Sequence, residues 1–379
     1  VVLFTVARDF KRQQTLDKFN SVIWTERYYG DSEVELVVPN TPALAQILTP
    51  GIFVALEGSR ELMILETANF DKENNLKVTG ISLLKWLNNR IIRTSAKHED
   101  RYWNVTQAPG YTLQTMVYFM CVGGTYIDGT TPNGIPNMAS MKVPGLYTYE
   151  WDKSGAVVNT GIPFGPLFDA LYEIATTYEL GQQILLNTNN NPAEVNRLQY
   201  RNYKGIDRTS AQTTYPVVRF SSDMDSLTDV EELQSIANYK TVVYAFAPGL
   251  DEASRPLATT PGVQSRVTTA GTGSGFDLRA QMVFAEDITT DQVGGDAAKL
   301  LDILNSRAKD GLANSEYVQV VDGEIVPTAQ FKYGRDYGMG DLIEIQGKSG
   351  AINRARVTEY IRSQDAEGEK AYPTVTVKP

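Results

Sequence analysis

Apolar and polar positions alternate along both ends of this chain with the two-residue period of a strand. Residues 1–6 form a short apolar run. Residues 21–29 and 33–38 are rich in β-branched and aromatic side chains, and Gly30, Asp31 and Ser32 between them predict a hairpin. Residues 51–56 and 61–66 predict a second strand pair across Glu57, Gly58 and Ser59, with a short helix over 41–48 before it and a last strand at 76–79. After Gly80 the period lengthens. Ile81, Leu84, Leu87 and Ile91 share one helical face, widened by Leu83 and Trp86, which predicts a helix plugging the open end of a β-barrel.

Residues 94–165 are rich in Gly and Pro, with apolar character enough for one helix at 112–121, and read as an irregular insertion that reaches a neighbour. A second helix starts at Pro166 and is expected to end at Gly181, burying Leu167, Leu171, Ile174, Ala175 and Tyr178. Strands are predicted at 183–186, 198–203, 217–221 and 241–247, and a helix over 230–237. A loose Gly/Thr/Ser-rich connection covers 248–276, and a strand at 277–285 follows it. A third helix then presents Ala297, Leu300, Leu301, Leu304 and Ala308, with Gly311 as its stop. Residues 316–377 are almost all strand. The pattern is an α+β, β-rich fold in which two β-rich thirds flank a mixed α/β middle.

Composition adds little that is specific. The 379 residues suffice for two to four domains, and 42% hydrophobic with 21% charged residues is ordinary for a soluble protein. The 20 Tyr residues suit strands and subunit interfaces alike. A net charge of −10 argues against a general nucleic-acid binder, which needs basic surface to displace counterions. The one Cys, Cys121, excludes an intrachain disulfide, and residues 1–10 show no signal-peptide pattern. No apolar run is long enough for a membrane span, so a soluble protein made in the cytoplasm is the expectation.

Candidate chemistry is sparse. The single histidine, His98, lies among charges, and no HExxH or CxxC spacing accompanies it. Cys121 lies in an apolar run and reads as a small buried hydrophobe. Residues 271–275 have the glycines of a phosphate loop without its Gly-Lys-Ser/Thr ending. Residues 223–229 start like a calcium loop but place Leu227 and Thr228 where an oxygen ligand and glycine belong, so a turn capping a helix near Val230 is the better reading. No carboxylate pair stands out as a glycosidase site. The sequence therefore offers no catalytic, metal or cofactor-binding residues and reads as a non-enzyme.

The C-terminal segment is the most informative. Tyr333, Gly334, Asp336, Tyr337, Gly340 and Asp341 precede an apolar strand, a Gly347–Gly350 turn and the Arg354, Arg356, Thr358 alternation, which reads as a strand facing solvent or a partner. This order resembles the Gp37-like minor tail proteins of siphoviruses, tail-tip proteins related to the baseplate hub family. Trp24 to Tyr29 with 33–36, residues 78–84 with 89–92, and 205–209 with 217–221 agree in the same order. The resemblance implies a hub architecture. Residues 1–93 would be a first tube-like β-barrel or sandwich domain, 94–165 the turn-rich insertion, 166–260 an α+β middle domain, and 261–379 a second tube-like β domain with one helix. It also implies a homotrimer at the virion tail tip that closes the tail tube and joins a sixfold tail to a threefold tip. Its neighbours would be the distal tail protein ring, the tape measure protein and other minor tail proteins, with DNA passing the lumen without specific binding.

Two other readings compete. A receptor-binding module would expose Tyr102, Trp103, Tyr126, Tyr147, Tyr149 and Trp151 to stack on host glycans. Packing in an interface or core is the plainer role for those rings. A tail-associated cell-wall hydrolase is disfavoured by the poverty of His and Cys and by the lack of a long extra C-terminal domain.

Overall fold

The structure is a computed structural model that describes residues 1–92, 102–123, 138–148, 155–187, 197–246, 267–285, 297–313, 315, 318–326, 330–348, 350 and 352–378. Elements in the first ninety residues follow the sequence pattern closely. Strands β1 (Leu3–Val6), β2 (Arg12–Leu16), β3 (Ser21–Arg27) and β4 (Glu33–Pro39) precede helix α1 (Pro42–Ile47). The helix begins where Thr41 Oγ1 accepts the Leu44 amide and Pro42 fills the first turn. Then come β5 (Phe53–Leu56), β6 (Leu62–Phe70) and β7 (Asn75–Ser82).

The middle holds α2 (Leu83–Trp86), β8 (Ile91–Ile92), β9 (Tyr102–Gln107), α3 (Pro109–Val117), β10 (Leu146–Thr148), β11 (Val158–Pro163), β12 (Gly165–Pro166), α4 (Leu167–Thr177), β13 (Gly181–Asn187), β14 (Arg197–Tyr203) and β15 (Arg219–Ser221). The chain continues as β16 (Leu227–Ser235), β17 (Val242–Phe246), β18 (Val267–Gly271), β19 (Ala280–Phe284), α5 (Ala297–Ala313), β20 (Val318–Ile325), β21 (Leu342–Gln346), β22 (Ile352–Asp365) and β23 (Gly368–Lys378).

Two compact units result. One comprises residues 1–229 and 323–376, the other 230–322 and 377–379. This grouping differs from the four consecutive segments expected from sequence, because strands from both ends of the chain share one sheet. The 11-stranded sheet runs β15-β21-β22-β3-β4-β7-β6-β5-β1-β2, with β23 also pairing β22. Alternate residues of β1 to β7, among them Leu3, Trp24, Leu36, Leu56, Met63 and Val78, enclose one apolar cluster. The other face of β1, β5 and β6, through Val6, Phe53, Ala55, Leu62 and Ile64, packs on the middle segment. The apolar runs 53–56 and 62–65 are continuous because both of their faces are buried.

The described part of 94–165 is ordered rather than irregular. Val105, Leu113, Met116, Met120, Cys121 and Ile162 lie in the same core as α4 and β13. Helix α3 continues as a π-helical turn over Tyr118–Gly123, so the expected helix at 112–121 is present.

In the second unit β17 is flanked by antiparallel β18 and parallel β19. Helix α5 covers one face through Leu304 and Ala308 against Val243 and Ala245.

Several sequence expectations are corrected. Ile81 belongs to β7, and the expected plug helix is only α2 plus one 3-10 turn, Leu87–Asn89. It ends because Arg90 turns extended, which leaves Ile91 exposed. Residues 227–235 form β16, paired with β20, where a helix was expected, and Asp225 in the left-handed region turns the chain into that strand. Gly181 starts β13. Helix α4 is instead closed by Glu179 at φ 54°, with the Glu179 amide on the Thr176 carbonyl and the Leu180 amide on the Ala175 carbonyl. Gly311 does not stop α5; a Cβ there would meet Val243 and Val283 side chains at 3.1 Å, so its hydrogen lets the helix lie close to the sheet. Arg356 does not face solvent and is 1% exposed.

Candidate functional site

The separate motifs of the sequence converge at one place in the first unit. Strand β22 is long enough to pair twice. Its first half joins β21, Arg356 opposite Leu342, and its second half joins β3, Glu359 opposite Arg27. The 205–209 loop attaches to the start of β21. The Leu342 amide donates to the Ile206 carbonyl at 2.9 Å and the Arg208 amide to the Leu342 carbonyl at 2.8 Å. Strand β15 then adds in parallel beyond β21.

The six positions singled out at 333–341 fall into two groups. Tyr333 stacks on Tyr360 with ring centroids 3.7 Å apart and meets Tyr337 edge-on at 5.7 Å. Tyr337 is buried against Phe220 at 5.4 Å. Gly334, at φ 80°, donates its amide to the Tyr337 carbonyl at 2.8 Å. Asp336 accepts the Lys332 amide at 2.7 Å and pairs with Arg335, and these bonds hold its carboxyl below the ordinary value. These four residues shape a turn and dock it.

Gly340 and Asp341 act as the lock. The buried Asp341 carboxylate accepts the Ile206 amide at 2.8 Å, the Gly338 amide at 2.9 Å and Arg208 Nε at 2.7 Å. It thereby ties the 205–209 loop to the C-terminal turn. Gly205 lies directly against the Gly340 carbonyl, and a Cβ at 205 would stand 1.8 Å from that oxygen. Gly340 has φ 86°, and a Cβ on it would meet the Tyr28 ring at 2.1 Å. Only glycine satisfies both positions.

Tyr28 is the centre of the junction. It is fully buried, its ring also covers Gly181, and Tyr203 meets it edge-on at 5.4 Å. Its hydroxyl donates to the Glu179 carbonyl at 3.0 Å. Arg356 lies over the ring at 5.4 Å, donating Nη1 to the Gly340 carbonyl at 2.7 Å and Nη2 to Glu179 at 2.6 Å, while its Nε has no partner. Burial raises the phenol pKa of Tyr28, Tyr203, Tyr333 and Tyr337, so each stays a neutral donor. Nearby, Glu344 accepts both the amide and hydroxyl of Ser210 and pairs with Arg219. Burial opposes its ionisation, yet these bonds hold its pKa below the ordinary value.

A second charged cluster adjoins this junction. Glu61, 6% exposed, bridges β6 to Leu185 of β13. Burial, and then the Glu26 carboxylate, push its carboxyl up to about 8, and its Oε2 has no partner. Glu26 itself takes Arg362 and Trp24 Nε1. Sequence reasoning missed Glu61 and Glu179. The polar alternation of Arg354, Arg356 and Thr358 concealed the role of Arg356, which is buried together with its neighbours Ala355 and Val357.

These arrangements hold chain segments together. Cys121 is buried, and burial pushes its thiol up to about 12. His98 lies outside the described residues, as do Tyr126, Tyr149 and Trp151. Of the other aromatics considered for glycan stacking, Trp103 packs against the core and the Tyr147 hydroxyl accepts from Asn187. Among the described residues no group of three or more His, Cys, Asp or Glu is placed to hold a metal ion, and no helix is long and apolar enough to cross a membrane.

The chain belongs to the siphovirus ReqiPepy6 Gp37-like protein family, whose sequence model matches residues 4–375. No curated protein matches it. Its fold is similar to that of the 43 kDa tail protein of prophage MuSo2 from Shewanella oneidensis, with a TM-score of 0.57 and 12% identity over 99% of this chain and 97% of that one. A tail protein from Neisseria meningitidis MC58 gives 0.56 and 11% over 99% and 96%. The prophage tail protein gp18 from Listeria monocytogenes EGD-e gives 0.51 and 11% over 100% and 95%. At these identities the likeness is one of fold, and it is the fold of phage tail proteins.

Proposed function

We propose that this Gp37-like chain is the structural tail-tip hub of a long-tailed phage. Three copies would close the tail tube and adapt a sixfold tail above to a threefold tip below. The distal tail protein ring, the tape measure protein and other minor tail proteins would be its neighbours. DNA would cross the lumen unbound, repelled by the acidic balance of the chain. The observation that carries this reading is the end-to-end likeness to phage tail folds, joined to a junction whose conspicuous residues all bind chain to chain. A protein whose task is assembly needs rigid, directed internal contacts of this kind and no reactive cluster.

The test is a map of the intact virion. Three copies at the tail tip, between a sixfold ring and a threefold tip, are expected. A different position or copy number would sink the proposal. For the glycan-stacking reading, Trp103 is half-buried against the core and the Tyr147 hydroxyl accepts from Asn187.

A further inference from the structure

We infer that Glu61 makes the contact between the start of β6 and β13 a proton-controlled clasp, closed while its carboxyl is protonated and opening locally as the proton leaves for solvent. Within the first unit, β13 belongs to the three-stranded sheet β10-β14-β13, which is separate from the large sheet. Among the described residues, two groups of hydrogen bonds fasten β13 to segments beside β3 and β6. In one, the Gln182 amide donates to the Tyr28 carbonyl at 2.9 Å and Gln182 Nε2 to the Tyr29 carbonyl at 3.0 Å. In the other, the Leu186 amide donates to the Arg60 carbonyl at 2.7 Å, Arg60 Nε donates to the Leu186 carbonyl at 3.2 Å, and Glu61 bridges to Leu185.

The two clasps differ in what they bury. The first closes over backbone amides, the Gln182 side chain and the Tyr28 phenol, none of which ionises near neutral pH. The Tyr200 hydroxyl completes it, donating to Gln182 Oε1 at 3.2 Å. The second closes over a carboxyl that is 6% exposed and whose Oε2 has no partner. Glu26 faces it from β3, Arg362 from β22, Arg201 and Tyr203 from β14, and Tyr333 from the C-terminal turn, with the Ser32 hydroxyl as a hydrogen-bonding neighbour. The cations are engaged elsewhere. Arg362 holds Glu26 and the Glu57 carbonyl, Arg201 holds the Gln183 side chain, and Arg60 holds Leu186. Burial keeps Tyr203 and Tyr333 neutral.

A charge on Glu61 is therefore buried beside the Glu26 carboxylate with no ion-pair partner among the described residues. Burying an unpaired carboxylate costs more than an amide hydrogen bond contributes. Withdrawing Glu61 to water relieves that cost, and it parts residues 60–61 from 185–186. In the opened clasp the carboxyl returns to its ordinary 4.5, against about 8 when closed. Between those values the closed form holds a proton that the open form lacks, so opening gains about tenfold for each unit of pH. Above about 8 both forms are ionised and the gain levels off. The clasp at Tyr28 has no such carboxyl and stays shut.

The test is amide hydrogen exchange on the full chain, resolved to single residues and corrected for the intrinsic rate, at about pH 5.5 and about pH 7.5. Protection of the Leu186 amide is expected to fall by up to about tenfold per unit of pH, while that of the Gln182 amide holds. Glu61→Gln cannot ionise, so Leu186 should keep its protection at both values. Glu26→Gln removes the neighbouring charge and should make the fall smaller, which decides the matter if Glu61→Gln does not fold. Leu186 protection that ignores pH, or that falls as steeply in Glu61→Gln, overturns the inference. Equal loss at Leu186 and Gln182 also overturns it, because Glu61 then acts on the whole unit at once. None of these outcomes bears on the tail-tip reading.

Discussion

In the first unit, Tyr28 and Arg356 are sealed by glycines and directed polar groups from four chain segments, whereas in the second a single helix, α5, covers one face of a three-stranded sheet. The far side of that sheet leaves Met282 and Phe284 more than half exposed. The first arrangement is over-determined. The Gly340 carbonyl accepts Arg356, abuts Gly205, and belongs to a residue pressed on Tyr28. Among the described residues the second is held by apolar burial under α5 and by polar bonds such as the Arg279 side chain on the Tyr239 carbonyl and the Thr241 hydroxyl on the Asp277 carbonyl. Directional contacts between distant segments fix one geometry, while burial under one helix tolerates change on the open face.

Substitutions sharpen the contrast. The largest effect is expected for Gly205→Ala, where the new methyl would meet backbone that cannot move without breaking the 205–209 loop from β21. It should cost about 4 kcal/mol or more in urea unfolding. The matched change in the second unit, Gly275→Ala, meets nothing within 4 Å and should cost only about 1 kcal/mol for its left-handed backbone. Equal effects would erase the distinction between the two regions.

Arg356→Met comes next. Glu179 is partly exposed and regains water, so the loss is mainly the bond to the Gly340 carbonyl and the cation over Tyr28, about 2–3 kcal/mol. A neutral outcome in the same unfolding assay would make Arg356 a passenger of the strand.

Glu61 gives a pH signature. Its folded-state pKa, about 8, lies above the ordinary 4.5, so the folded state holds the proton more tightly. The contribution of Glu61 to the stability of the first unit is full below the ordinary value and is lost as pH rises through the window to about 8. Glu61→Gln should flatten that fall. Melting temperatures at both ends of the window, compared between wild type and variant, check this; parallel curves would show the carboxylate to be paired after all.

The smallest effect is expected for Phe284→Ser, within about 0.5 kcal/mol on the isolated chain because the ring is 60% exposed. A loss comparable to that of Arg356→Met would show that the open face is covered.

Much of this was legible beforehand. Hairpins at 21–38 and 51–66, the short helix within 41–48, α4 with its Leu167, Leu171 and Ile174 face, and α5 all follow from local periodicity and turn residues. Residues 230–237 misled because Val230, Leu233 and Ala237 fit a helical period, while pairing with β20 held residues 227–235 extended. Arg354, Arg356 and Thr358 read as solvent-facing because polar alternation usually marks an exposed face. Arg354 is exposed as that pattern implies, but β21 and β3 flank the strand and Tyr28 packs against Arg356.

By itself the sequence determined most of the strands and helices, because these depend on neighbours a few residues apart. It also carried the family order of motifs, since order along a chain needs no coordinates. Only the tertiary structure decided that those motifs form one site. Tyr28, Glu179, Gly205, Gly340 and Arg356 are separated by up to 328 residues and meet because one strand, β22, pairs with both a C-terminal and an N-terminal neighbour. Such pairing is settled by which faces can be buried together, and no local pattern encodes it.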